Sequence, residues 1–249
     1  MEIIKDKKKL EDKCDPVEVT WDKTRKKFFF NKDSEVRDII VNLKETLREY
    51  PKGVGLAAPQ IGINKDMFVI RFANNDYRAF INPTMLNCKG LMMSKESCLS
   101  FPGKEYLRPR YSYIVAEYIN ANGQHVSQPF YGMTAIIYQH ELDHLNGITL
   151  PDLSIEVPEN YDNMTDDEKQ NIINEYLTSI QNKYDEVKKE IDSNPELKKI
   201  NDAIDFMESA RKGDTKVEAV ELDKDTSKKI ADKVEQSIKE ETKIRKETK

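Results

Sequence analysis

The segment Gln139-His140-Glu141-Leu142-Asp143-His144 constrains this chain more than any other. From Thr134 to Leu145 the spacing predicts a helix, with Ile136, Ile137 and Leu142 on the face that carries the histidines. Asn146-Gly147 is a stop signal for that helix. Histidines at i and i+4 project from one helix face toward a shared point. Because the flanking residues are apolar, that point lies inside the protein. Two buried imidazoles around a carboxylate are costly unless something satisfies them. Two His ligands and an adjacent Glu suit a divalent metal and a base for its water. A metal site is therefore the expectation, with a core built around it. The third histidine, His125, follows a turn glycine without such company and reads as a surface residue.

Material for that core is confined to part of the chain. Up to Pro158 there are 22 basic and 21 acidic residues, and 17 of the 21 aromatics. From Glu159 onward 18 basic and 24 acidic residues crowd into 91 positions, and no Cys, His or Trp occurs. The boundary is placed there: a core-bearing domain over 1–158 and a charged helical extension over 159–249.

Within the first part, Val36, Ile39, Ile40, Leu43 and Leu47 form a helical stripe that stops near Tyr50-Pro51. Met67–Phe72, Tyr77–Pro83 and Tyr111–Ile119 are strand-like in aromatic and β-branched content. Asn120-Ala-Asn-Gly123 reads as a turn joining two antiparallel strands. Strands follow one another and helices stand at the ends, which favours an α+β fold of antiparallel sheets packed around the central His-bearing helix.

In the extension, Thr165-Asp-Asp-Glu168 is a capping-box start. Ile173, Leu177, Ile180, Tyr184, Val187 and Ile191 follow at heptad spacing, which predicts an apolar seam. Two more amphipathic helices are expected, one after Asn194-Pro195 and one after Asp225.

Several classes fall away. No run approaches the roughly 18–20 apolar residues of a membrane-spanning helix. Three widely spaced cysteines (Cys14, Cys88, Cys98) do not make a disulfide scaffold. The N-terminal segment has no apolar signal core. A net charge of -5 does not suggest a nucleic-acid partner. A cytoplasmic protein, with no membrane or DNA partner, is the expectation.

His140 and His144 need a third ligand. HExxH alone points first to zincin-type metallopeptidases, but Leu150 stands where a metzincin has its third His. A downstream Glu ligand stays open, although Glu168 is a poor candidate because it sits in a helix cap. Cys98, in Glu96-Ser-Cys-Leu-Ser-Phe-Pro102, is the best candidate, expected on a loop before a proline turn. Gly53-Val-Gly-Leu-Ala-Ala-Pro-Gln-Ile-Gly62 adds two glycines that permit close backbone approach, and the Gln60 amide. Taken in order, GVGLAAPQIG, ESCLSFPG and QHELDH closely resemble the peptide deformylase family over roughly residues 1–155.

That resemblance implies a metal-dependent hydrolase that removes the formyl group from the N-terminal methionine of nascent polypeptides. It implies Cys98, His140 and His144 as metal ligands, Glu141 as general base and then acid, and Gln60 with the Leu99 N–H as oxyanion donors. Val54, Gly55 and Ser97 would hold the peptide backbone, while Met133, Ile136 and Ile137 would line the methionine pocket. Arg110 matches a basic position of the family, with a surface ion pair as the other reading. The implied cofactor is one divalent ion, Fe2+ first, with Zn2+ or another ion admitted by the same donors. The implied setting is a bacterial cytosol, or a virus replicating in one. A C-terminal helix of some members docks on the ribosome through positive charge; the net charge of -6 over 159–249 argues against simple electrostatic docking. Ser97 departs from the family's Gly. Besides a metallopeptidase, the alternative is a deformylase-fold binding module without turnover.

Overall fold

A computed structural model describes residues 1–158 and 160–193. A hairpin of β1 (Val19–Asp22) and β2 (Lys27–Phe30) precedes α1 (Asp33–Arg48). Then come β3 (Gly55–Ala57), β4 (Met67–Arg71), β5 (Tyr77–Cys98), β6 (Phe101–Ile119) and β7 (His125–Tyr131). The helix α2 (Gly132–Leu145), the short β8 (Ile155–Glu156) and α3 (Asp166–Ser193) complete the described order. Strands β3 to β7 lie side by side in chain order, all antiparallel, and β8 pairs with β6.

Strand β4 shows why the sheet sits between two helices. Met67 and Val69 face one cluster, with Val36, Ile39, Leu43 and Leu47 of α1. Phe68 and Ile70 face the other, with Ala135, Tyr138 and Leu145 of α2. Alternate residues of a strand point to opposite faces, so a strand covered on both sides must be apolar throughout. The second cluster is aromatic: Phe68, Phe80, Phe130 and Tyr138 pack with ring centroids 5.0–5.9 Å apart. Tyr138 donates its hydroxyl to Thr84 O at 3.0 Å, which satisfies the polar end of a buried ring. This packing fixes the rotation of α2, and with it the direction in which His140 and His144 point.

The long hairpin is larger than the sequence suggests. Predicted as short strands, β5 and β6 run 22 and 19 residues. Register shifts at Ile81/Thr84, Met85/Asn87 and Ser97/Cys98 bend β5 along its length. Pro83 falls at the first shift, where no ladder donor is needed.

The stop after α2 is as expected. Gly147 adopts φ 71°, and a Cβ there would lie 2.2 Å from Glu11 O. In α3 the capping box forms: Thr165 N and Oγ1 donate to Glu168 Oε2, and Glu168 N donates to Thr165 Oγ1. The expected seam is corrected there. Leu177 and Ile180 are exposed, and Tyr176, off the seam, is buried with its hydroxyl donated to Leu153 O. One compact unit runs through Thr178. The side chains of Tyr184, Val187 and Ile191, and the two helices expected beyond, lie outside the described residues. No described helix is long and apolar enough to cross a membrane.

Candidate metal centre and its cleft

Helix α2 brings His140 and His144 together one turn apart, with ring centroids 5.1 Å from each other. Cys98 was expected on a loop; it is instead the last residue of β5, at the tip of the long hairpin. The register shift between Ser97 and Cys98 re-aims its side chain inward. Its Sγ lies 3.3 Å from His144 Nε2. One donor atom from each of Cys98, His140 and His144 lies within 4.8 Å of the others.

The surroundings set which atoms are free to bind. His140 Nδ1 donates to Glu96 Oε2 at 2.9 Å, which leaves Nε2 as its donor atom. Glu96 is held in turn by Arg110, whose Nε and Nη2 bond its two oxygens at 2.8 and 2.9 Å. Arg110 Nη1 also reaches Asp143 Oδ2 at 2.5 Å, and Arg108 Nη2 meets the same oxygen at 2.8 Å. Arg110 is therefore a buried clamp, not a surface ion pair. Burial alone would raise the Glu96 carboxyl, but the hydrogen bonds from His140 and Arg110 outweigh it and hold the group down at about 2.

Burial also works against a Cys98 thiolate, yet the charge and hydrogen bonds of His144 and His140 bring the thiol well below its ordinary range. Burial pushes Glu141 up to about 7. Its Oε2 and His144 Nδ1 are buried without a hydrogen-bond partner among the described residues. Thiolate plus two imidazoles is a borderline-soft donor set. A tetrahedral ion would hold S and N donors roughly 3.5 Å apart, close to the separation seen. The residues present fit a single divalent metal, and Glu141 lies beside the three donors.

Gln60 belongs to a short 3-10 turn, Ala58–Ile61, and is buried. Its Oε1 accepts from Ala57 N at 2.9 Å, which orients the amide. Its Nε2 then points to Ser100 Oγ at 3.2 Å and Cys98 Sγ at 3.5 Å. A cleft of about 380 Å³ opens over these groups. Val54, Gly55, Ser97, Leu99, Met133 and Ile137 line it together with Gln60, Cys98, His140 and Glu141. Ile136 does not; it is buried on the neighbouring side of α2, since consecutive helical positions diverge by about 100°. His125 lies apart from the cleft, half-exposed and 3.1 Å from Glu117 Oε1. Glu168 is occupied by its cap. The cysteines are free thiols.

The network behind the three donors is not legible in the sequence: nothing local assigns a role to Glu96, Asp143 or Arg108. The available signal was an acid two residues before Cys98 and an acid between the histidines, each needing a cation if buried.

Comparison with known proteins agrees with this geometry. The sequence model of the family described as polypeptide deformylase matches residues 2–158. A peptide deformylase of Aquifex aeolicus is 38 % identical over 125 residues, covering 48 % of this chain and 73 % of that protein. The crystal structure of peptide deformylase from Thermotoga maritima superposes with a TM-score of 0.52 at 32 % identity, over 61 % of this chain and 95 % of that one. The deformylase of the Vibrio parahaemolyticus bacteriophage VP16T, solved with actinonin, gives 0.51 at 30 % identity, over 60 % and 99 %.

Proposed function

The chain belongs to the polypeptide deformylase family, metal-dependent hydrolases that remove the formyl group from nascent polypeptides, and we propose the following assignment of its residues. Cys98, His140 and His144 hold one divalent ion, Fe2+ in the cell, with Zn2+ admitted by the same donors. The observation that carries this is the convergence of three donor atoms within 4.8 Å of one another, beside a buried Glu141 oxygen that lacks a partner. Such an ion, when bound, supplies Lewis acidity that makes a nucleophile of water near neutral pH.

The rest is done by the chain's own groups. Glu141, with its carboxyl near 7, takes a proton from the attacking water and passes it to the leaving amine of methionine. Gln60 Nε2 and the Leu99 N–H donate to the oxyanion that develops on the formyl oxygen, each such donor being typically worth ~3 kcal/mol. Val54 and Gly55 on one side and Ser97 on the other hold the peptide extended. Met133 and Ile137 offer the apolar wall for the methionine side chain. Residues 1–158 make the catalytic part, and 159–249 a charged helical extension. The substrate sets the location, a bacterial cytosol where formylated chains emerge. Deleting 159–249 and leaving cosedimentation with ribosomes unchanged would remove any docking role for the extension.

Formate release from formyl-Met-Ala-Ser under anaerobic conditions tests the assignment. Wild type is expected to turn the peptide over without cleaving internal bonds. Glu141→Ala and Cys98→Ala are each expected to lose on the order of a thousandfold or more in kcat/KM, the scale of a removed general base or a displaced electrostatic centre. Full activity in either variant would contradict it.

A further inference from the structure

The cleft floor and the cleft rim carry different charge. At the floor the acids are Glu141 and Glu96, and Glu96 is neutralised by Arg110. Away from the floor, the charged residues that line the cleft are Lys5 and Lys52. Both are exposed, and among the described residues neither ammonium has a carboxylate or hydrogen-bond partner. The other cations near these segments are committed: Lys7 pairs with Glu11 and Asp152, and the Arg71 guanidinium donates to Pro51 O.

Both lysines stand on fixed backbone. Ile4 N donates to Gln60 O at 2.8 Å, which ties the N-terminal segment beside the site. Gly53 N donates to Tyr50 O at 2.9 Å and Arg71 N to Val54 O at 2.8 Å, which brace the turn that carries Lys52. Gly55 abuts Glu141 at the floor. Lys52 is three residues earlier, so its Cα is at most about 11 Å from that of Gly55. An extended peptide whose formyl group sits at Glu141 advances about 3.3 Å per residue. A peptide that leaves the floor along the Lys52–Gly55 segment would bring its second and third residues, counting formyl-methionine as the first, within that span of the Lys52 Cα.

We propose that Lys5 and Lys52 give this cleft a preference for formyl-methionyl peptides that carry Asp or Glu at the second or third position. The preference rests on the deformylase reading of the same cleft and adds the charge of the substrate to it. It is a rim effect between partly solvated charges, so its size is modest and depends on salt.

The test is kcat/KM for C-terminally amidated formyl-Met-Ala-Glu, formyl-Met-Ala-Gln and formyl-Met-Ala-Lys, and for the matching set with Glu, Gln or Lys at the second position. The metal-loaded full chain is used in low and in about 1 M salt. The Glu peptide of at least one set should exceed its Gln counterpart roughly two- to fivefold at low salt, and the Lys peptide should fall below it. High salt should compress the order, and Lys52→Glu should invert it, with Lys5→Glu adding to the inversion. Turnover of the Gln peptides with no charge order in either set, or an order unmoved by Lys52→Glu, overturns the proposal and leaves the deformylase reading standing. Absence of formate from every peptide overturns that reading, and the charge preference falls with it.

Discussion

Gly55 and Glu141 occupy space that only a glycine allows them to share. A Cβ on Gly55 would fall 2.3 Å from Glu141 Oε1 and 2.9 Å from its Cγ. Glu141 is 3 % exposed, so it has little room to retreat. Strand β3 begins at Gly55 and α2 carries Glu141, and the missing side chain is what lets the two close on one another. Gly55→Ala should therefore displace Glu141, the proposed general base, without unfolding the chain, because the backbone at 55 is ordinary strand. A fall of about a hundredfold in kcat/KM is expected, the usual cost of misplacing a catalytic group by about 1 Å. Kinetics beside a thermal melt would check this, and an undiminished rate would show that Glu141 can swing aside.

Glu96 acts through His140. By holding Nδ1 it leaves Nε2 free for the proposed ion, and partners of this kind typically contribute 10- to 100-fold in metal affinity. Glu96→Ala should lose about that much in a competition titration against a chromophoric chelator. Arg110→Met should do more damage to the fold, since it leaves Glu96 buried without its guanidinium partner, while Asp143 keeps only Arg108. A destabilisation of about 3–5 kcal/mol is expected from urea unfolding.

Metal removal should lower stability as well as activity. A ligand held at a thousand times its Kd adds about 4 kcal/mol to the folded state. Chelation should therefore reduce Tm in wild type and in Glu141→Ala, which keeps all three ligands. Cys98→Ala should show a much smaller shift. A chelator effect of equal size in both variants would separate the metal from Cys98.

Asp66 supplies a pH signature away from the site. Burial, partly offset by Lys13, raises its carboxyl to about 6 from an ordinary value near 3.8. The folded chain therefore binds this proton more tightly than the unfolded chain. Between about pH 4 and pH 6 the folded state holds more protons, so this group's contribution to stability falls as pH rises and levels off above. Asp66→Asn should be more stable than wild type at pH 7, with the gain shrinking toward pH 4. Urea melts of both across that range would show it; a difference independent of pH would contradict the assignment.

How much of this was readable in the residues follows from the range of each interaction. His140, Glu141 and His144 are local, and i, i+4 spacing on an apolar face is enough to place them. Gln60 and Cys98 are 38 residues apart, and they were joined to the histidines only because three short motifs occur in a known order. The Glu96 clamp was not readable, because its partners stand 14 and 44 residues away and nothing local ties them to it. The length of β5 and β6 was hidden for a different reason. Leu86, Leu91 and Met92 are exposed, and Pro83 and Gly90 look like breakers; a register shift absorbs Pro83, while Gly90 stays in register between the Lys89–Tyr113 and Leu91–Tyr111 pairs. In α3 the heptad pattern was real in the sequence, but the contact made by Tyr176 decided which face was covered.

The convergence of one sulfur and two imidazoles is most directly tested by X-ray absorption at the metal edge of the zinc-loaded protein. One sulfur at roughly 2.3 Å and two imidazole nitrogens at roughly 2.0–2.1 Å are predicted, with the sulfur lost in Cys98→Ala. A coordination sphere without sulfur, or one unchanged in Cys98→Ala, would contradict it.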